Sequence, residues 1–84
     1  MRIQGLKNAP SGSFKVVRYV SYNGEKQVVS TYKMERSGND IKLFHEENDI
    51  TETVRSIEFK KGGVLLMWIK PSRLGLLYKV EPLD

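Results

Sequence analysis

The chain has no cysteine. That excludes disulfide staples and thiolate metal centres, so a domain of this size must be held by packing or by self-association. Long apolar runs are missing as well. No stretch approaches the roughly 18 residues that a membrane-spanning helix requires, and the opening MRIQGLKNAPSG lacks the apolar segment of a secretory signal. A cytoplasmic protein that does not enter membranes is therefore expected, and the absence of cysteine fits a reducing compartment. No Asn-x-Ser/Thr acceptor is present, because Asn8, Asn23, Asn39 and Asn48 are each followed by the wrong residue two places on.

Catalytic and metal-binding signatures are equally scarce. The single histidine, His45, sits beside Glu46 and Glu47, with Asp49 and Glu52 close behind. Imidazole and carboxylate both ligate divalent metals, but in a strand His45 and Glu46 point to opposite faces, and the sequence lacks a calcium-loop pattern. The cluster reads as a solvated acidic turn, and no metal or cofactor is expected. There is no G-x-S-x-G, and no Ser or Thr stands near His45 in a nucleophile–base arrangement. Gly62-Gly63 follows Lys60-Lys61 but leads into a strand, unlike a phosphate loop, which opens a helix. The expectation is a protein that is not an enzyme.

What remains is 84 residues with net charge +4, read as a single domain over 1–84. A chain this short hides only about 60 to 65% of the surface its unfolded form exposes, so one modest core is all it can build. Charge is uneven. Residues 1–42 carry eight Lys/Arg against three Asp/Glu, while residues 43–84 carry six against seven. Such asymmetry suits a phosphate-bearing or otherwise acidic partner, although charge also serves solubility.

Short β-type runs separated by turn residues dominate the sequence. Six strands are expected, at about 13–22, 27–36, 40–46, 51–60, 64–70 and 75–81. Five short links leave no room for crossover helices, so the expected topology is an antiparallel meander. The segment RIQGL adds a short strand or covers one end. An open single layer could not cover two apolar faces, which favours an all-β sheet strongly curved into a small barrel, with a compact two-sheet sandwich as the alternative. The likeness to small barrels in general is one of architecture and carries no function.

The stretch Ser13 to Gly38, SFKVVRYVSYNGEKQVVSTYKMERSG, is the strongest local signal, because Asn23-Gly24 supplies the two positive φ angles of a type I′ turn. A plain register places Val17, Tyr19, Val28, Tyr32 and Met34 on one face, expected to be core. The other face then carries Phe14, Arg18, Tyr22 and Lys33, with Arg36 near the same edge. Basic residues interleaved with aromatics on a curved sheet suit single-stranded nucleic acid, cations following phosphates while rings stack on bases. Phe14, Arg18, Tyr22, Lys33 and Arg36 are the candidate nucleic-acid-binding residues. Strong β-propensity of Tyr and Phe explains the same aromatics without a ligand.

VLLMWIK, residues 64–70, is apolar on both faces, as in a strand covered on both sides. Pairing it across Gly62-Gly63 puts Ile57, Phe59, Val64, Leu66 and Trp68 inward. Leu65, Met67, Ile69 and Leu77 are then an outer apolar patch, the candidate interface for a protein partner or a second copy. A small-molecule carrier is disfavoured, because Phe59, Trp68 and Tyr78 should fill so small a barrel. Two readings of a non-catalytic binding module follow, nucleic-acid binding through the hairpin and protein interaction through the outer patch.

Overall fold

Asn23 and Gly24 adopt φ of 52° and 80°, and the turn they form joins strands Gly12–Tyr22 and Glu25–Ser37. In the computed structural model, which describes residues 1–83, these are the second and third of eight strands. They are β1 Arg2–Gln4, β2 Gly12–Tyr22, β3 Glu25–Ser37, β4 Asp40–His45, β5 Asn48–Asp49, β6 Val54–Lys60, β7 Val64–Ile69 and β8 Leu76–Glu81. Single 3-10 turns occupy Leu6–Asn8 and Thr51–Thr53. The expected strand at 51–60 thus begins with a turn, because Asp49 accepts hydrogen bonds from both the amide and the hydroxyl of Thr51 and bends the chain there.

All eight strands lie in one curled sheet, a half-barrel ordered β1-β6-β7-β8-β2-β3-β4-β5. The all-β class holds, but with eight strands rather than six and one sheet rather than the two of a sandwich. Two antiparallel meanders, β2 to β5 and β6 to β8, are joined by the pairing of β2 with β8. RIQGL contributes β1, which runs parallel to β6 and departs from the all-antiparallel expectation. The sheet stops short of a closed barrel, with β1 and β5 at its edges.

The two 3-10 turns bridge the opening. Arg36 Nη1 donates to the carbonyls of Leu6 and Ala9, each at 2.9 Å, and its Nε donates to Gly38 O at 2.7 Å. Thr51 Oγ1 accepts from Leu43 N at 2.9 Å, and Thr53 O accepts from Lys70 N at 2.7 Å, tying β4 to the end of β7. Gly5, at φ 72°, lets the N-terminal segment lie against β6, since a Cβ there would sit 2.1 Å from Phe59 O.

The core lines the concave side. Phe14, Val16, Met34, Ile41, Leu43, Val54, Ile57, Phe59, Leu65, Met67 and Tyr78 form one buried cluster, and among the described residues no polar or charged residue is buried. Two local irregularities decide which side chains join it. Arg18 pairs with Ser30 but Tyr19 pairs with Val28, which leaves Val29 as the extra residue of a bulge. Arg55 is a second extra residue, between the pairs Val54–Ile69 and Ser56–Trp68. It allows Val54 and Ile57, three positions apart, both to reach the core.

Both expected face assignments change, one through the Val29 bulge and the other through the length of the β6–β7 loop. From the bulge to the base of the hairpin the faces of β3 are inverted relative to a plain register. Phe14 pairs with Met34 and Val16 with Tyr32 on the core face, while Lys15 meets Lys33 and Val17 meets Thr31 on the outer face. Val17 is buried but lies outside the core cluster. The β6–β7 loop has three residues, Lys61-Gly62-Gly63, so Lys60 pairs with Val64, Phe59 with Leu65 and Ile57 with Met67. An odd loop length moves every β7 side chain to the opposite face. Leu65 and Met67 are core, and Trp68, expected inward, lies half-buried on the outer face over Gly75, where a Cβ would sit 2.4 Å from the indole. No helix of the described residues is long and apolar enough to cross a membrane.

Candidate interaction surface

Beyond Val17 on one strand and Lys33 on the other, the β2–β3 hairpin leaves the sheet. β2 meets β8 only over Lys15–Val17, and β3 meets β4 only over Lys33–Ser37. Arg18–Tyr22 and Glu25–Ser30 therefore form the end of a two-stranded arm whose outer edges have no strand partner, with Tyr19 Oη donating to Glu81 on β8 at its root. The molecule is elongated to match, 40 × 28 × 25 Å. Four of the eight exposed large apolar residues among those described are on this arm: Val20, Tyr22, Val28 and Val29, at 38, 63, 59 and 48% exposure. A ribbon of two strands gains little stability from burial, and unpaired edges are ready templates for another chain.

The outer face of the arm carries Tyr19, Lys26, Val28 and Thr31, with Lys26 Nζ 5.9 Å from the Tyr19 ring centroid. Its inner face carries Arg18, Val20, Tyr22, Gln27 and Ser30, and leads into a groove of about 260 Å³ lined by Ser30, Tyr32, Ile69, Leu74, Leu76 and Tyr78 among others. Tyr32 links this groove to the core, with its ring centroid 5.9 Å from Tyr78 and 5.4 Å from His45. Burial pushes the Tyr78 hydroxyl up to about 12; neighbouring Tyr32 adds to the shift and Arg18 opposes it. A second notch, lined by Thr31, Lys33, Phe44, Glu46 and Glu47, lies where β4 stops beside the arm.

The five residues expected to bind nucleic acid do not share a surface. Phe14 is 3% exposed and packs edge-on against Phe59 at 6.5 Å between centroids, so its ring is closed to a base. Arg18 and Tyr22 face inward along the arm. Lys33 is on the opposite face because of the Val29 bulge, with its ammonium 3.1 Å from Glu35 and 5.8 Å from the Phe44 ring centroid. The Arg36 guanidinium is committed to three backbone carbonyls.

Of the expected outer patch, Leu65 and Met67 are in the core and Ile69 is half-buried at the groove, because the three-residue loop reverses β7. Leu77 is outside, 59% exposed, and pairs with Leu66. The convex apolar patch is instead Val64, Leu66, Trp68 and Leu77. The acidic residues around His45 form no cluster of three metal-ligating side chains among the described residues. Sequence reasoning missed the arm as an arm. Its one signal was the length of the two apolar runs flanking Asn23-Gly24, longer than any neighbouring strand could cover.

The chain matches no protein-family model, no curated protein and no solved structure.

Proposed function

We propose that this protein is a non-catalytic protein-interaction module whose contact element is the projecting β2–β3 arm. The observation that carries the reading is the arm itself: a two-stranded ribbon with Val20, Tyr22, Val28 and Val29 exposed and both edges unpaired. In a small domain exposed apolar side chains on a ribbon with unpaired edges gain from being covered. Tyr22 and Arg18 add side-chain types enriched at protein interfaces.

Nucleic-acid binding is the weaker reading, because its five residues are dispersed over the core, two faces and a capping contact. The outer-face lysines Lys15 and Lys33 oppose each other directly, but Glu81 and Glu35 stand beside them. The test is a pair of measurements on the wild-type chain and on Val28→Glu, a change confined to the exposed arm. A protein partner, identified by mass spectrometry and then purified, should bind the wild type and lose at least tenfold in affinity for the variant. Salt-sensitive capture of a labelled single-stranded oligonucleotide that Val28→Glu leaves unchanged would overturn the proposal in favour of nucleic acid.

A further inference from the structure

We propose that the groove where the arm meets the body binds a small apolar carboxylic acid, its chain seated on Tyr32, Leu74 and Leu76 and its carboxylate held by Arg18. This is a second site, on the inner face of the arm, independent of the outer face that carries Val28. The groove exists because β8 parts from β2 beyond the pair Val17–Lys79, while it stays on β7 as far as the pair Leu76–Met67. Side chains between the diverging strands line a hollow of about 260 Å³.

The lining is mostly apolar: Met67, Ile69, Leu74 and Leu76, with the rings of Tyr32 and Tyr78. Leu74, at 72%, is the most exposed large apolar residue among those described. A leucine left open beside an apolar hollow is surface that a bound chain would cover. The interior of the half-barrel is filled by Phe14, Phe59 and Leu65, so the acid sits at its open end and not within it.

Charge selects the head group. Arg18 pairs with Ser30, and Ser30 lines the groove. The guanidinium stands close enough to the Tyr78 hydroxyl to favour its ionised form. The two ion pairs among the described residues, Lys33–Glu35 and Lys60–Glu58, do not involve Arg18. No acidic residue lines the groove, and Lys70 adds a second cation to it. Glu25, on the same inner face, is away at the arm tip opposite Tyr22. An arginine fork matches a carboxylate through two parallel hydrogen bonds, and an apolar setting strengthens that pairing. At about 30 Å³ for each water-sized group, the hollow takes roughly eight or nine such groups. That is a medium-chain or single-ring acid, below the roughly 300–1,000 Å³ of sites for larger ligands.

Sodium octanoate titrated into the isotope-labelled wild-type chain, followed by two-dimensional NMR, tests the proposal. Resonances of Arg18, Ser30, Leu74 and Leu76 should move saturably, with a Kd at or below about 1 mM. Hexanoate, two methylenes shorter, should bind roughly tenfold more weakly. Octanol and octylammonium should each bind at least tenfold more weakly than octanoate, a comparison that needs no variant to fold. Arg18→Gln should cost octanoate at least tenfold and leave octanol unchanged, and Leu74→Ser, a change at an exposed side chain, should weaken both about threefold or more. The absence of saturable shifts at about 10 mM octanoate would overturn the proposal. Equal binding of octanoate and octanol, shifts centred on Val64, Leu66 and Leu77, or full octanoate affinity in Arg18→Gln would each overturn it as well. Val28→Glu, on the outer face, should leave octanoate binding unchanged, so this result and that for the protein partner are read separately.

Discussion

Deleting Val29 separates the bulged hairpin from a plain one. Because Arg18 pairs with Ser30 and Tyr19 with Val28, Val29 has no partner of its own, and its removal leaves every other pair of the hairpin in place. Met34 and Tyr32 keep facing the core and Lys33 stays outside. The expected change is loss of one local kink, within about 1 kcal/mol of the parent. In a plain register the same deletion would turn over everything from Ser30 to Arg36. Met34, fully buried, would be expelled at a cost of about 2–5 kcal/mol, and Lys33 would be driven inward at several more. At about 0.05–0.15 kcal/mol per residue, a chain of this length has roughly 4–13 kcal/mol in total, so such a protein would be largely unfolded. The control is deletion of Lys33, which forces either Tyr32 or Met34 off the core face and should destabilise far more than loss of Val29. Urea unfolding followed by the fluorescence of Trp68, the single tryptophan, measures both variants. An unfolded Val29 deletion, or a Lys33 deletion of parental stability, would refute the assignment of faces.

Three other outcomes follow from the same geometry. Leu65→Ala should lose about 2–5 kcal/mol in urea unfolding, whereas Leu66→Ala, half-buried on the outer face, should lose about 1 kcal/mol or less; the reverse order would mean that the β6–β7 loop is even in length. Arg36→Lys cannot hold the carbonyls of Leu6, Ala9 and Gly38 together, so a loss of about 1–3 kcal/mol is expected, with faster hydrogen exchange around residues 6–9. Tyr78 ionises near 12 when folded and near 10 when unfolded. Its protonated form is favoured by folding, so this contribution is complete below pH 10 and is lost as pH rises from 10 toward 12. The urea midpoint should fall over that window in the wild type and fall less in Tyr78→Phe.

Composition and turn chemistry make the fold class legible. Asn23-Gly24, Ser37-Gly38-Asn39 and Lys61-Gly62-Gly63 mark true hairpin turns, and period-two apolar runs lie between them. Faces are less legible, because they depend on single residues whose effect is geometric rather than compositional. Val29 and Arg55 carry no signature that separates an extra residue from an ordinary strand residue. Gly62-Gly63 reads as a two-residue turn, and only the pairing of Lys60 with Val64 shows that Lys61 belongs to the loop. Each of these one-residue differences moves a whole strand face, which is why Phe14 and Met67 were expected at contact surfaces and instead lie in the core. RIQGL reads from sequence as a short strand or an end cover, and its parallel partner β6 is not legible there, lying more than fifty residues away. Arg36 reads from sequence as a free cation, and only the fold brings the carbonyls of Leu6 and Ala9 to it.

The most direct test of the arm as the contact element is residue-resolved hydrogen exchange of the wild-type chain, alone and again with the purified protein partner bound. The account predicts that amides in the span 25–30 exchange quickly in the free chain and become protected when the partner binds, while those of β6 and β7 are unchanged. Protection that develops instead over Val64, Leu66, Trp68 and Leu77, with the arm still exchanging freely, would contradict it.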